Sequence, residues 1–414
     1  MAVIKPFKGI RPVKEKAKDV CAPPYDTLNV KEARDMVKKN KYSFLHVEKS
    51  EIDCPDSYDV HDQRIFDKGR ENLEKMLKER VMMQDKEECL YIYKQIMGKH
   101  TQTGIVAGAS VDDYISDVIK KHENTREDKE IERAMHIDTI DANTGCVFLT
   151  YRKRAEINEI VERVMKESKP EYDFIDELNV RHIFYAVKDK KTIDEIVKMF
   201  AKIETLYVAD GHHRSAAATR IALKRRKEEK SKSKTAEYNY FLSVIFPDDE
   251  MLIMDYNRVV KDLNGMSKEK FIKELEKKFF VQKIKIMQKP VKIHDFSMYI
   301  DKEWYTLRAK DEIIERRDFI KSLDVSILQE NVLNPLLGIE NPRTDKRINF
   351  IGGIRGIEEL KKLVDSKEYK VAFALYPTSM EQLMNVSDSG KVMPPKSTWF
   401  EPKLRSGIVI HKLS

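Results

Sequence analysis

Thr205-Leu206-Tyr207-Val208-Ala209-Asp210-Gly211-His212-His213-Arg214-Ser215-Ala216-Ala217-Ala218 is the stretch on which the fold turns. A β-prone apolar run stops at Asp210-Gly211. Two histidines and an arginine come next, and an alanine-rich pattern then continues to Arg225. The pattern predicts a strand, a tight turn and a helix start. The first turn of a helix leaves backbone N–H groups unpaired and carries the positive end of the helix dipole, so it attracts anions. His212, His213 and Arg214 add donors suited to phosphate oxygens, and Gly211 permits the turn or a close approach of ligand to backbone. Asp210 can cap the helix, bind a metal or steer the histidines. A capped helix with surface histidines would show the same element order. Packing alone, however, needs no Gly-His-His-Arg cluster at a strand end, which favours a phosphate site.

Working outward, 414 residues suffice for two or three domains, and 41% hydrophobic content fits an ordinary globular protein. The formal net charge of +7 is local in origin. Between Lys224 and Lys234, seven basic residues face only Glu228 and Glu229, an excess of +5. Basic residues at a helix end complement its dipole, so this run reads as a solvated helix terminus rather than a nucleic-acid face. Cys21, Cys54, Cys89 and Cys146 are scattered without Cys-x-x-Cys spacing, which suits a reducing cytosol and argues against a zinc knuckle. The start, Met1 to Phe7, lacks an apolar signal core, and no run reaches transmembrane length. The expectation is a soluble cytoplasmic protein with no membrane partner.

Strand and helix patterns alternate throughout. Residues 30–45 and 61–84 read as helices, 90–96 and 103–111 as paired strands, and 114–121 as a short helix feeding His122-Glu123. Further helix patterns lie at 127–136, where Lys129, Arg133 and His136 share a face, and at 155–167 and 192–203. Strand patterns lie at 146–151 and 181–187. Residues 240–246 and 252–260 read as a strand pair around Pro247-Asp248-Asp249. The last third reads as a smaller α/β lobe, with Ile351 to Gly356 structural.

Asp210 to Arg214 opening a helix resembles the phosphate loop of the ParB/sulfiredoxin-like superfamily, specifically that of its free-serine kinases. Those enzymes pair the loop with an upstream His-Glu, and this chain carries His122-Glu123-Asn124-Thr125. Further motifs are Ala22-Pro23-Pro24-Tyr25-Asp26, Tyr256-Asn257-Arg258-Val259-Val260 and Pro395 to Lys403. With these, nearly the whole chain is identified as a member of the prokaryotic domain of unknown function 1015 family. The resemblance implies an α+β (mixed α/β) fold with a ParB/sulfiredoxin-like catalytic core, and the element pattern along the chain sets that core at 116–262 between an N-terminal α/β lobe, 1–115, and a C-terminal α/β lobe, 263–414.

It also implies a phosphotransferase moving a phosphoryl group from a nucleotide, ADP or ATP, to free L-serine, with Mg²⁺ spreading charge. Such an enzyme needs a phosphate cradle, a cation and a base beside the acceptor hydroxyl. Glu123 is the candidate base, with Asp210 and His212 as its catalytic companions and Asp210 as the metal ligand. Gly211, His213, Arg214, Ser215 and Lys396 are the candidate phosphate contacts. His122, Thr125 and Arg133 would orient Glu123 or substrate. Tyr25 and Asp26, framed by prolines, suit substrate recognition. Asn257-Arg258 lies inside an apolar strand, where a charge needs an anionic ligand or an internal glutamate. Lys396, Ser397, Thr398 and Lys403 have the composition of an anion-binding strap, with Thr398 a substrate contact. The same residues would support hydrolysis of phosphoserine. A non-catalytic nucleotide or metabolite binder and a DNA-binding regulator are the readings from other classes. Zinc on a His-His pair with His122 is disfavoured because no His-x-x-x-His or His-Glu-x-x-His spacing occurs.

Overall fold

The computed structural model describes residues 1–229, 233 and 235–414, so Lys230, Lys232 and Lys234 of the basic run lie outside the described residues. The fold is mixed α+β, and the chain divides into two compact units. One comprises Met1–Met251 with Pro402–Ser414, the other Leu252–Glu401. The three expected lobes therefore reduce to two, and the boundary expected near 115 is absent.

The reason lies in the first unit's sheet. Its main strands are β1 (Leu90–Met97), β2 (His100–Ser110), β3 (Val147–Tyr151), β4 (Val180–Val187), β5 (Leu206–Asp210) and β6 (Tyr240–Pro247). The order is Ile119–Lys120, β5, β3, β6, β2, β1, β4 and Tyr172–Ile175, with Ile4–Lys5 also on β2. β2 pairs antiparallel with β6 from Ser110 opposite Tyr240 to Ile105 opposite Ile245. The early hairpin is thus built into the middle of the sheet that carries the later motif. Leu90, Ile92, Ile105 and Ala107 share one core with Val208, Phe241 and Ile245.

Two helices frame the site, α1 (Glu127–Ile140) and α2 (His212–Glu228). Ala217, Ala218, Ile221 and Ala222 of α2 lie in the same core as Ala134 and Ile137 of α1. Small side chains allow the two axes to approach. Arg220–Glu130 at 2.9 Å and Lys224–Asp138 at 2.7 Å join the helices at their polar edges. Arg225 pairs with Asp141 and Arg226 with Asp112, both at 2.7 Å, so much of the described basic run is neutralised within its own unit.

Two local readings change. The helix expected over 114–121 is instead Val111–Ile115, capped by Ser110, and then the strand Ile119–Lys120 parallel to β5. Asp117, at φ +57°, sits between them in the left-handed region and stops helical propagation. Residues 252–260 do not pair with β6. Leu252–Met254 pairs with Trp399–Glu401, and Tyr256–Val260 joins the second unit's sheet. That sheet is antiparallel and six-stranded: Phe279–Ile284, Glu303–Ala309, Asp295–Ile300, Val371–Leu375, Tyr256–Val260 and Ile348–Gly352. The helix Ile357–Asp365 packs Ile357, Leu360 and Val364 against it. No helix among the described residues is long and apolar enough to cross a membrane.

Candidate functional site

The quoted stretch forms the expected strand, turn and helix. β5 pairs with β3 through Val208 opposite Leu149 and then Asp210 opposite Phe148, so Ala209 is an extra residue in the ladder. Such a bulge bends the strand and re-aims the residues after it. Gly211 then adopts φ +91°, and a Cβ there would lie 3.3 Å from the Val147 Cα. Only glycine meets both conditions without strain. The turn swings the first residues of α2 back over the end of β3.

Asp210 is the hub of the turn. Its Oδ1 accepts from the Gly211 N–H at 2.7 Å, and its Oδ2 accepts from the Lys403 ammonium at 2.8 Å. Burial would raise this carboxyl, but Lys403 and Arg214 outweigh it and hold the group well below the usual range. Both oxygens are engaged and one faces an ammonium, so Asp210 in this arrangement does not fit a Mg²⁺ ligand. Lys403, which belongs to the same unit, is a lysine that reaches the loop.

Arg214 is held from three sides. Nη1 donates to the Cys146 carbonyl at 2.7 Å, Nη2 lies 3.4 Å from Asp26, and the guanidinium sits 5.6 Å from the Tyr25 ring centre. Burial opposes its charge, yet Asp26, Tyr25, Asp210 and Glu48 raise its pKa above the ordinary value. Arg133, from α1, lies 4.0 Å from the Tyr25 ring centre and 3.4 Å from Glu48. Tyr25 is therefore packed beside two guanidiniums, a cation–π arrangement. Glu48, buried in the short helix Leu45–Glu48, has its carboxyl pushed up by burial against the pull of Arg133. The Nε atoms of Arg133 and Arg214 are buried without a hydrogen-bond partner. Unmatched buried donors of this kind are costly and point towards an anionic ligand.

On the other side of the turn, His122, Glu123 and His212 come together. One ligand atom from each lies within 4.8 Å of the other two. The His122 and His212 rings meet edge to face, 4.5 Å between centres. Burial pushes the His122 imidazole down to about 4. It drives His212 down further, helped by His122. Both rings are neutral at pH 7. His213 points elsewhere: its Nε2 accepts from the Arg126 N–H at 3.1 Å and pins the segment after Glu123 to α2. Thr125 donates to Glu130 at 3.3 Å.

Several expected residues have other duties. The Ser215 hydroxyl is fully buried and donates to the His212 carbonyl at 3.0 Å, because it lies on the core face of α2; it is not placed for phosphate. Asn257, Arg258, Lys396 and Thr398 belong to the second unit. There Asn257 donates to Asp255 and accepts from the Leu375 N–H at 3.0 Å. Arg258 has no ion pair with a glutamate among the described residues: it donates to the carbonyls of Tyr256 and Lys396 and lies 5.3 Å from the Phe350 ring centre. Burial pushes its guanidinium down to about 10. The Lys396 side chain is exposed and its ammonium lies 5.8 Å from the Tyr256 ring centre. Glu48, Gly145 and Lys403 are the positions sequence reasoning passes over or underrates. A Cβ on Gly145 would come 3.2 Å from Glu48 and 3.4 Å from Arg214, so the missing side chain makes room for both.

Residues 4–326 match the family described as "Protein of unknown function (DUF1015)". The chain belongs to this family. No curated protein matches it. Solved structures that resemble it include a free serine kinase in complex with AMP, at 13% identity and TM-score 0.35, covering 72% of this chain and 86% of that one. Another is SbnI with a C-terminal truncation from Staphylococcus aureus, at 10% identity and TM-score 0.37, covering 72% and 82%. A third is a conserved hypothetical protein from Pyrococcus furiosus, at 14% identity and TM-score 0.35, covering 73% and 93%.

Proposed function

We propose that this protein transfers a phosphoryl group from a nucleotide, ADP or ATP, to the hydroxyl of a small metabolite, with free L-serine as acceptor and O-phosphoserine as product. The observation that carries the reading is the approach of Glu123 to the mouth of α2, where its carboxylate lies within 4.8 Å of a His212 ring nitrogen despite the distance along the chain. Glu123 takes the acceptor proton as the hydroxyl oxygen bonds to the terminal phosphorus. The bond from that phosphorus to the bridging oxygen breaks, and the shortened nucleotide leaves. The N-terminus of α2 and Arg214 hold the developing negative charge. Mg²⁺ would arrive on the nucleotide's own phosphates, as part of the substrate. Tyr25, Asp26 and Arg133 beside Arg214 suit an acceptor carrying a carboxylate and an amine. The unmatched Nε donors of the two arginines support an anion there.

The test is to incubate purified protein with L-serine, Mg²⁺ and either ATP or ADP and to assay O-phosphoserine. Product is expected, and Glu123→Gln should slow its formation by about 10²–10⁴-fold while nucleotide binding is retained. Absence of product with both nucleotides would remove the reading. Release of inorganic phosphate from O-phosphoserine alone would redirect it to hydrolysis at the same residues.

A further inference from the structure

His122, Glu123 and His212 form a ligand set of a kind that the transfer reaction does not require. Two imidazoles and one carboxylate are the donors that bind zinc and its neighbours in the transition series, whereas Mg²⁺ prefers oxygen alone. A tetrahedral ion with ligands at about 2.1 Å places its donors roughly 3.4 Å apart, so the triad, within 4.8 Å, needs a closure of up to about 1.4 Å. Small side-chain rotations supply that. The elements behind the ligands are firm: His212 is fixed by the first turn of α2, and His122 comes two residues after the strand paired with β5. The His122 ring also hydrogen-bonds the Val208 backbone, the type of outer contact that orients a metal-binding imidazole. His212 Nε2 is buried with no hydrogen-bond partner, an atom that a metal would satisfy. Three protein ligands leave a fourth position open to water or a ligand oxygen.

We propose that His122, Glu123 and His212 bind a transition-metal dication of the zinc class. The binding stands on this juxtaposition alone. Its consequence rests on the proposed function: a carboxylate engaged by a dication is no longer a free base, so the metal-loaded and transferring states are alternatives for the same residues.

The experiment uses full-length protein stripped with a chelator and titrated with Co²⁺, and then displacement with Zn²⁺. One equivalent of Co²⁺ should produce the intense visible absorption of a tetrahedral site, and Zn²⁺, but not Mg²⁺, should abolish it. His212→Gln and Glu123→Gln should each weaken binding by more than the roughly 10–100-fold that loss of an outer-shell partner costs. His100→Gln, which alters a histidine on the β1–β2 hairpin, should bind as the parent does. Circular dichroism and thermal melting establish that each variant is folded. Failure of folded parent protein to bind either ion stoichiometrically overturns the proposal, as does equal affinity in the triad variants. Phosphoryl transfer by the metal-free protein is a separate readout, so the two readings fail independently.

Discussion

Gly211→Ala tests the turn that organises the whole site, and the structure contains its own control. Gly98, at φ +59°, has nothing within 4 Å of where a Cβ would sit. It belongs to the same unit as Gly211, in the hairpin between β1 and β2. Gly98→Ala therefore reports backbone strain alone: about 1–2 kcal/mol for an L-residue at positive φ. Reduced freedom of the unfolded chain offsets this by about 0.4–1 kcal/mol. Gly211→Ala carries the same terms and adds a tight contact. The new methyl would lie 3.3 Å from the Val147 Cα and 3.5 Å from Arg214 Nη1. The first is strand backbone, tighter than ordinary contact and able to yield only by a small shift of β3, and forced contacts of this kind cost about 1–3 kcal/mol. The expected loss is about 1–4.5 kcal/mol, against about 0–1.5 kcal/mol for Gly98→Ala. Urea denaturation of the two variants side by side measures the difference, and comparing them removes shared errors of extrapolation. A Gly211→Ala variant no less stable than Gly98→Ala would refute the claim that the turn is sterically closed.

Three further outcomes are expected. Arg214→Lys keeps the charge but loses the planar fork that reaches the Cys146 carbonyl and Asp26 together; nucleotide affinity, measured by calorimetry, should fall as it would for Arg214→Met. Gly352→Ala would bring a Cβ to 2.6 Å from the Trp399 ring, whereas Gly265 is open. Thermal melting should show a larger loss for Gly352→Ala than for Gly265→Ala, even though Gly265 has φ +75°. Glu237 binds Lys5 and the His411 ring. Burial raises its carboxyl, but those partners outweigh burial and lower it in the folded state. A depressed carboxyl stabilises above its unfolded value, near 4.3, and that stability is lost as pH falls through the folded value. The melting-temperature gap between parent and Glu237→Gln should therefore be open at pH 7 and close below about pH 4.

Local patterns are legible where they are set by neighbours in the chain. The β5–turn–α2 unit comes from an apolar run, a glycine and an alanine-rich helix. The hairpin of β1 and β2 comes from two β-prone runs flanking Gly98. Ser215 departs from its expected role because helical phase decides its direction, and the phase places its hydroxyl on the core side. Arg258 departs because a buried guanidinium is expected to require an opposite charge, whereas backbone carbonyls can accept its hydrogen bonds. Lys403 is underrated because lysine is ordinarily exposed, and only the return of the chain end to the first unit brings it to Asp210.

By itself the sequence determined the mixed fold class, the strand–turn–helix unit around Gly211 and the residue types available for chemistry. Periodicity, turn residues and helix dipoles act over a few residues. The tertiary structure alone decided that Glu123 meets His212, that Tyr25 sits beside two arginines, and that the early hairpin belongs to the central sheet. Those juxtapositions depend on strand order and on burial of apolar faces between distant segments, and no spacing along the chain encodes either.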